Sequence, residues 1–177
     1  MVSFLGCGSW GGALGNVLSQ KGISVLFWHR NSDIVKSLQI ESQHYLMPNL
    51  NFNDNVSFTD NIDFAIEKSN IIVIAIPSQS IRTLISNQQN IFKDNKLIVN
   101  VSKGIEINTL MTISEVVSDV YGDIYNNMVT LSGPSHAEEV IKKYPTTLVA
   151  SSANEHAAKI IQELFSNEYL RTYLNDD

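Results

Sequence analysis

Residues 4–22 read FLGCGSWGGALGNVLSQKG and carry the spacing Gly6-x-Gly8-x-x-Gly11, with a further glycine at Gly12. Glycines also crowd ordinary turns, so the spacing alone is weak. Its setting is stronger. An apolar run, Val2 to Leu5, precedes it, and a helix-length segment, Trp10 to Lys21, follows. In that setting Gly6 takes the tight turn, Gly8 lets the backbone approach a pyrophosphate, and Gly11 lets the helix pack close to the sheet. The helix N-terminus adds free N–H groups and a partial positive charge. The alternative is a glycine turn that holds no ligand. Trp10 sits inside the loop, where a bound phosphate would need open space. Cys7 reads as a small filler, with no His or Cys partner at metal or catalytic spacing.

Outward from this stretch, short apolar runs alternate with longer amphipathic segments. Ser24 to Trp28 (SVLFW) reads as a second strand. Asp33 to Gln43 reads as a helix with Ile34, Leu38 and Ile40 facing inward, and Asn61 to Ser69 as a short helix. Ile71 to Ile76 (IIVIAI) is apolar at every position, the pattern of a strand covered on both faces and so of a parallel sheet. Helices are expected over 78–90, 110–121, 135–143 and 153–165, and strands over 97–101, 128–131, 146–150 and 170–174. This alternation with short connections gives an α/β fold with a doubly wound, mainly parallel sheet. His44 to Asn55 is polar and asparagine-rich, and reads as either a functional loop or a long connection.

With 177 residues, 44% of them apolar, the chain can bury the core of one good-sized domain. The net charge of -6 gives no electrostatic footprint for nucleic acid, though it leaves room for a local basic pocket. A single cysteine excludes a disulfide within the chain and fits a reducing compartment. No segment reaches the roughly 20 apolar residues of a membrane span. The start, MVSFLG, lacks the basic and apolar regions of a signal peptide. The expectation is a cytoplasmic protein.

In an open parallel sheet, ligands bind at the carboxyl ends of the strands, so the residues just after each strand carry the chemistry. The second strand ends in Trp28-His29-Arg30. An NAD-specific site usually has a carboxylate there. A guanidinium instead suits a 2′-phosphate, so Arg30 argues for NADP alongside NAD. Tyr45, in the following loop, is placed to cover a cofactor or to pack. After IIVIAI, Pro77 stops the strand and Ser78 is expected to cap the next helix. After LIVNV, Lys103 beside Gly104 points a charge into the crevice. After VTLS, Gly133-Pro134-Ser135 leads a helix, and Ser135 with Glu138 has capping-box spacing. His136 is an acid–base candidate by chemistry alone.

Together, GCGSWGGALG, LFWHR, AIPSQ, VSKGIE, LSGPSHAEEV, YPTTLVAS and LRTYLNDD resemble the bacterial NAD(P)-dependent glycerol-3-phosphate dehydrogenases over essentially the whole chain. The specific pair is SKGIE with SGPS-x-A-E-E. The resemblance implies a Rossmann-like domain, NADP or NAD as cofactor, and reversible hydride transfer between dihydroxyacetone phosphate and sn-glycerol 3-phosphate for phospholipid synthesis. By motif it implies that Ser9, Trp10 and Arg30 contact the cofactor and Lys103 both cofactor and substrate. Gly133 and Ser135 would lie along the substrate, and Ala137 against the cofactor. His136 stands where the family usually has an aromatic residue, and so reads as a packing position. Gly12 replaces the usual Thr or Ser. The family continues into a helical domain with a general acid/base lysine and a phosphate-binding arginine. This chain stops at Asp177, before that domain, so residues 1–177 read as the cofactor domain, without meaningful turnover and with no catalytic residue of its own. The resemblance leaves a homodimer open. The rival readings are a related reductase of the 6-phosphogluconate-dehydrogenase-like group and a non-catalytic dinucleotide sensor.

Overall fold

Alternate residues of the central strands feed two separate cores, one on each face of a single sheet. Val2, Phe4, Val25, Phe27, Val73 and Val99 point to one face; Leu5, Leu26, Ile72, Ile74 and Ile98 point to the other. A sheet buried on both sides needs helices on both sides, and the chain supplies them. The computed structural model describes residues 1–92, 96–122 and 127–176.

The elements run β1 (Val2–Leu5), α1 (Ser9–Gln20), β2 (Val25–Trp28), α2 (Ser32–Glu41), β3 (Gln43–His44), β4 (Met47–Asn51), β5 (Val56–Thr59), α3 (Ile62–Glu67), β6 (Ile71–Ile74), α4 (Ile81–Asn87), β7 (Leu97–Asn100), α5 (Ile113–Tyr121), β8 (Met128–Ser132), α6 (Ala137–Ile141), β9 (Thr146–Ser151), α7 (Glu155–Phe165) and β10 (Leu170–Asn175). The main sheet has the order β10-β9-β8-β7-β6-β1-β2-β5, and β3 and β4 form a separate antiparallel hairpin. All neighbours in the main sheet are parallel except β8 and β9, so the last two strands run against the rest. The expected mainly parallel, doubly wound sheet is present. Helix α1 packs against α6 and α7. At its end, the Lys21 ammonium donates to the carbonyls of Glu163, Leu164 and Ser166 at 2.8, 2.7 and 2.9 Å, capping the end of α7. Among the described residues, no helix is long and apolar enough to cross a membrane.

Several local expectations need correction. Ile40 is 84% exposed, while Val35 is buried beside Leu38. Ile40 lies two residues past Leu38, about 200° around the helix, so it cannot share the inward face. The polar stretch from His44 to Asn55 is no plain loop: it carries most of the β3–β4 hairpin and leads into the edge strand β5, anchored by buried Met47, Leu50 and Phe52. Phe27, fully buried, gathers this region. Its ring centroid lies 5.1 Å from that of Phe4, 5.4 Å from Phe52 and 5.8 Å from Phe58. The sixth strand ends at Ile74 rather than Ile76.

Candidate dinucleotide site at the switch point of the sheet

From β1 the chain winds outward through β2 and β5, then crosses back to β6 on the other side of β1. The crevice opens where that order reverses, at the carboxyl ends of β1 and β6. The glycines of the loop above it divide into two kinds. Gly6 has φ +116, and a Cβ there would lie 2.4 Å from the Ala75 carbonyl oxygen. A Cβ at Gly11 would lie 2.9 Å from the Ala75 Cβ and from the Gly6 oxygen. Both are required by the close approach of α1 to the strand ends. Gly8 is different. It caps α1 with an ordinary φ of -75, and a Cβ there would meet nothing within 4 Å.

A cleft of 690 Å³ runs from Gly6, Cys7 and Gly8 to Trp28, His29 and Arg30, with Tyr45 on one wall and Ile76, Pro77, Gln79 and Thr83 on the other. At its outer end the turn after β2 is fixed. His29 Nδ1 accepts the Asn31 N–H at 3.1 Å, and Asn31 Oδ1 in turn caps α2. Burial pushes the His29 imidazole below its usual value, and the neighbouring Arg30 charge adds to this. Burial likewise pushes the Cys7 thiol up, leaving it inert.

A second cleft, of 600 Å³, is lined by Trp10, Lys103, Gly104 and Gly133, with residues from β7 and β8 and the start of α5. A narrower space of 270 Å³, lined by Trp10, by 75–78 and by 101–103, shares residues with both clefts. Trp10 thus stands between the two, as a wall. The Lys103 ammonium lies 5.1 Å over the Trp10 ring and donates to the Ser135 carbonyl at 3.1 Å. Ser102 fixes the base of that lysine, its hydroxyl donating to the Ile76 carbonyl at 2.7 Å. Lys103, Gly133, Ser135 and Trp10 are brought together. Ser135 is buried, and Ala137, the first residue of α6, faces the core and lines none of these three clefts.

The loop after Lys103 is held from α4 and the turn before it, by residues that sequence reading did not single out. The Gln79 side-chain amide donates to the Ile105 carbonyl at 2.8 Å and accepts the Ile107 N–H at 3.0 Å, standing in for a strand. Arg82 grips the Glu106 carboxylate with Nε and Nη2, both at 2.9 Å, and also reaches Asp119, while the Thr109 hydroxyl donates to Glu106 at 2.6 Å. Hydrogen bonds from Arg82 above all, then Thr109, hold the Glu106 carboxyl below the usual range. Its contribution is therefore complete above the unfolded value, near pH 4.5, and is lost as pH falls through the lower folded value. Arg82→Ala is expected to lower the thermal midpoint and to shrink this acid limb to the part that Thr109 sustains, measured by melting between pH 7 and pH 3.

Two capping expectations fail. Ser135 does not cap α6: its hydroxyl turns to the Gly133 carbonyl at 3.3 Å, and His136 is the extended residue before a helix that starts at Ala137. Ser78 caps nothing, because a short 3-10 turn over Ser78–Ser80 precedes α4. The capping box lies instead at Thr112 and Glu115, opening α5.

Fold and site together define a Rossmann-type α/β domain, the class that takes a dinucleotide across its switch point. Residues 1–158 match the family model described as NAD-dependent glycerol-3-phosphate dehydrogenase N-terminus. The chain belongs to this family. It is 40% identical over 178 residues to the glycerol-3-phosphate dehydrogenase (NAD(P)+) of Carboxydothermus hydrogenoformans, covering 99% of this chain and 53% of that one. The corresponding enzyme of Staphylococcus haemolyticus is 38% identical over 178 residues, with 99% and 54% covered. The crystal structure of glycerol-3-phosphate dehydrogenase from Coxiella burnetii superposes with a TM-score of 0.90 at 30% identity, over 99% of this chain and 54% of that one. The chain spans about half the length of the relatives it matches.

Proposed function

We propose that these residues form the dinucleotide-binding part of an NAD(P)-dependent glycerol-3-phosphate dehydrogenase, which interconverts dihydroxyacetone phosphate and sn-glycerol 3-phosphate. The observation that carries the reading is the contrast within the glycine loop. Gly6 and Gly11 are demanded by the fold, but Gly8 is bare on the side of a cleft large enough for a dinucleotide. The nicotinamide supplies and takes back the hydride. The N–H groups of Ser9 and its neighbours at the start of α1 hold the pyrophosphate, with Gly8 granting close approach. Arg30 meets the 2′-phosphate and Tyr45 covers the outer half. Trp10 walls the inner half, with Ala137 behind it. Lys103 is the one cation among the described residues lining the second cleft; with Gly133 and Ser135 it binds the phosphorylated substrate. One lysine poorly accounts for both phosphate binding and proton transfer, which supports completion of the site by groups beyond this part of the family's length. The lone buried Cys7 supports a cytoplasmic setting.

Fluorescence titration with NADPH and NADH tests the reading. Arg30→Ala is expected to weaken NADPH about tenfold more than NADH, the scale of a lost charged hydrogen bond at an open site. Equal losses would show that Arg30 does not read the 2′-phosphate.

A further inference from the structure

We propose that His44 is a positioning residue for the dinucleotide loop: from the β3–β4 hairpin it holds the Gly8 carbonyl, and through the Gly8–Ser9 peptide it aims the Ser9 amide into the cleft. This rests on reading that cleft as a dinucleotide site.

His44 is 1% exposed, although it begins the polar stretch between α2 and β5. Its two ring nitrogens have different partners. Nδ1 accepts the Leu46 backbone N–H at 3.0 Å. That fixes the tautomer, because a nitrogen that accepts carries no hydrogen. Nε2 therefore holds the hydrogen, and it lies 3.3 Å from the Gly8 oxygen, to which it donates. The same oxygen accepts the Gly12 N–H at 2.8 Å. Two donors, one from α1 and one from the hairpin, thus converge on one carbonyl.

The consequence follows from peptide geometry. The Gly8–Ser9 peptide is planar and trans, so fixing the direction of its C=O fixes its N–H on the opposite side. Packing gives little help at this peptide, since a Cβ at Gly8 would have no neighbour within 4 Å. The Gly12 N–H holds this carbonyl from within α1, and the hydrogen bond from His44 adds a second constraint from outside the helix. The ring also fills the space beside α1: a Cβ at Gly12 would lie 2.5 Å from His44 Cδ2 and Nε2. On its other side the ring stacks on Tyr45 at 5.1 Å, and the Tyr45 hydroxyl lies 3.4 Å from His29 Nε2. One side chain therefore ties the loop at the inner end of the cleft to the wall at its outer end. A filler role explains the burial of His44 but not a donor aimed at the loop carbonyl.

The test compares the chain with three variants: H44Q, whose amide can still donate to the Gly8 oxygen; H44L, which fills the space without a donor; and G12A, whose Cβ displaces the ring from the α1 side. Each is melted without ligand and titrated with NADH, and the Ser9 amide shift is read by NMR in the free protein. H44L and G12A are expected to bind NADH about tenfold more weakly, and H44Q within about threefold of the parent, as the loss or retention of one hydrogen bond implies. The Ser9 amide shift is expected to move in H44L and to stay near the parent value in H44Q, with the two melting at similar temperatures. G12A carries the test if H44L does not fold. Equal NADH affinity for H44L and H44Q, or parent-like affinity for H44L and G12A, would overturn the positioning role. A parent chain that binds neither NADH nor NADPH would instead overturn the dinucleotide reading, and His44's role with it.

Discussion

Gly6→Ala is expected to cost the fold about 2–6 kcal/mol, the sum of about 1–3 for a side chain held at positive φ and about 1–3 for overpacking. The backbone cannot move aside to relieve the overlap. The Gly6 N–H donates to the Trp28 carbonyl at 3.0 Å, and the Ala75 N–H donates to the Leu5 carbonyl at 3.0 Å, so both partners of the clash are pinned by the sheet. The Ala75 oxygen would lie 2.4 Å from the new methyl, and the Ile76 Cγ2 at 2.9 Å. Domains of this size carry roughly 5–15 kcal/mol in total, so the variant sits near the edge of folding. Circular dichroism melting is expected to show a midpoint lowered by about 5–20 °C. A midpoint unchanged within a degree or two would mean that the loop tolerates a side chain there.

Phe27→Ala is expected to cost about 3–5 kcal/mol, the range for emptying a buried aromatic site. The ring is fully buried between Phe4, Phe52 and Phe58, and it occupies the room that Gly15 leaves on α1, where a Cβ would lie 2.2 Å from Phe27 Cζ. The effect reaches the site because Phe52 follows the hairpin that carries His44 and Tyr45. Dinucleotide affinity should fall together with stability, and Phe27→Leu should recover much of both. Loss of stability with full affinity would separate the hairpin from the site.

The architecture was legible wherever burial left a mark on the residue pattern. IIVIAI announced a two-sided strand, and FLGCGSWGGALG in its strand–helix setting announced the turn, because both constraints act on local sequence. Ile40 and the hairpin were misread for physical reasons. Ile40 is apolar but faces water, while Met47, three residues before Leu50, breaks the short alternation that Leu50 and Phe52 keep between asparagines. Edge strand β5 has two apolar residues, Val56 and Phe58, and is half-covered, so it left little signal. At the site, Lys103 and Arg30 could be placed from strand ends alone. The grip of Arg82 on Glu106, the Gln79 clamp and the His44 tether could not. Each joins residues 24 to 36 positions apart, a pairing that exists after the chain has folded.

The dinucleotide reading is tested most directly at Gly8. Its φ is ordinary and a Cβ there meets no neighbour within 4 Å, so Gly8→Ala should fold as the parent does, at a cost of no more than about 1 kcal/mol for a poorer helix cap. A side chain at that point stands where the pyrophosphate must approach the backbone. The account predicts parent-like melting with NADH and NADPH affinity reduced at least about tenfold, the scale of losing backbone contacts to a charged group. Parent-like affinity for both nucleotides in the folded variant would contradict it.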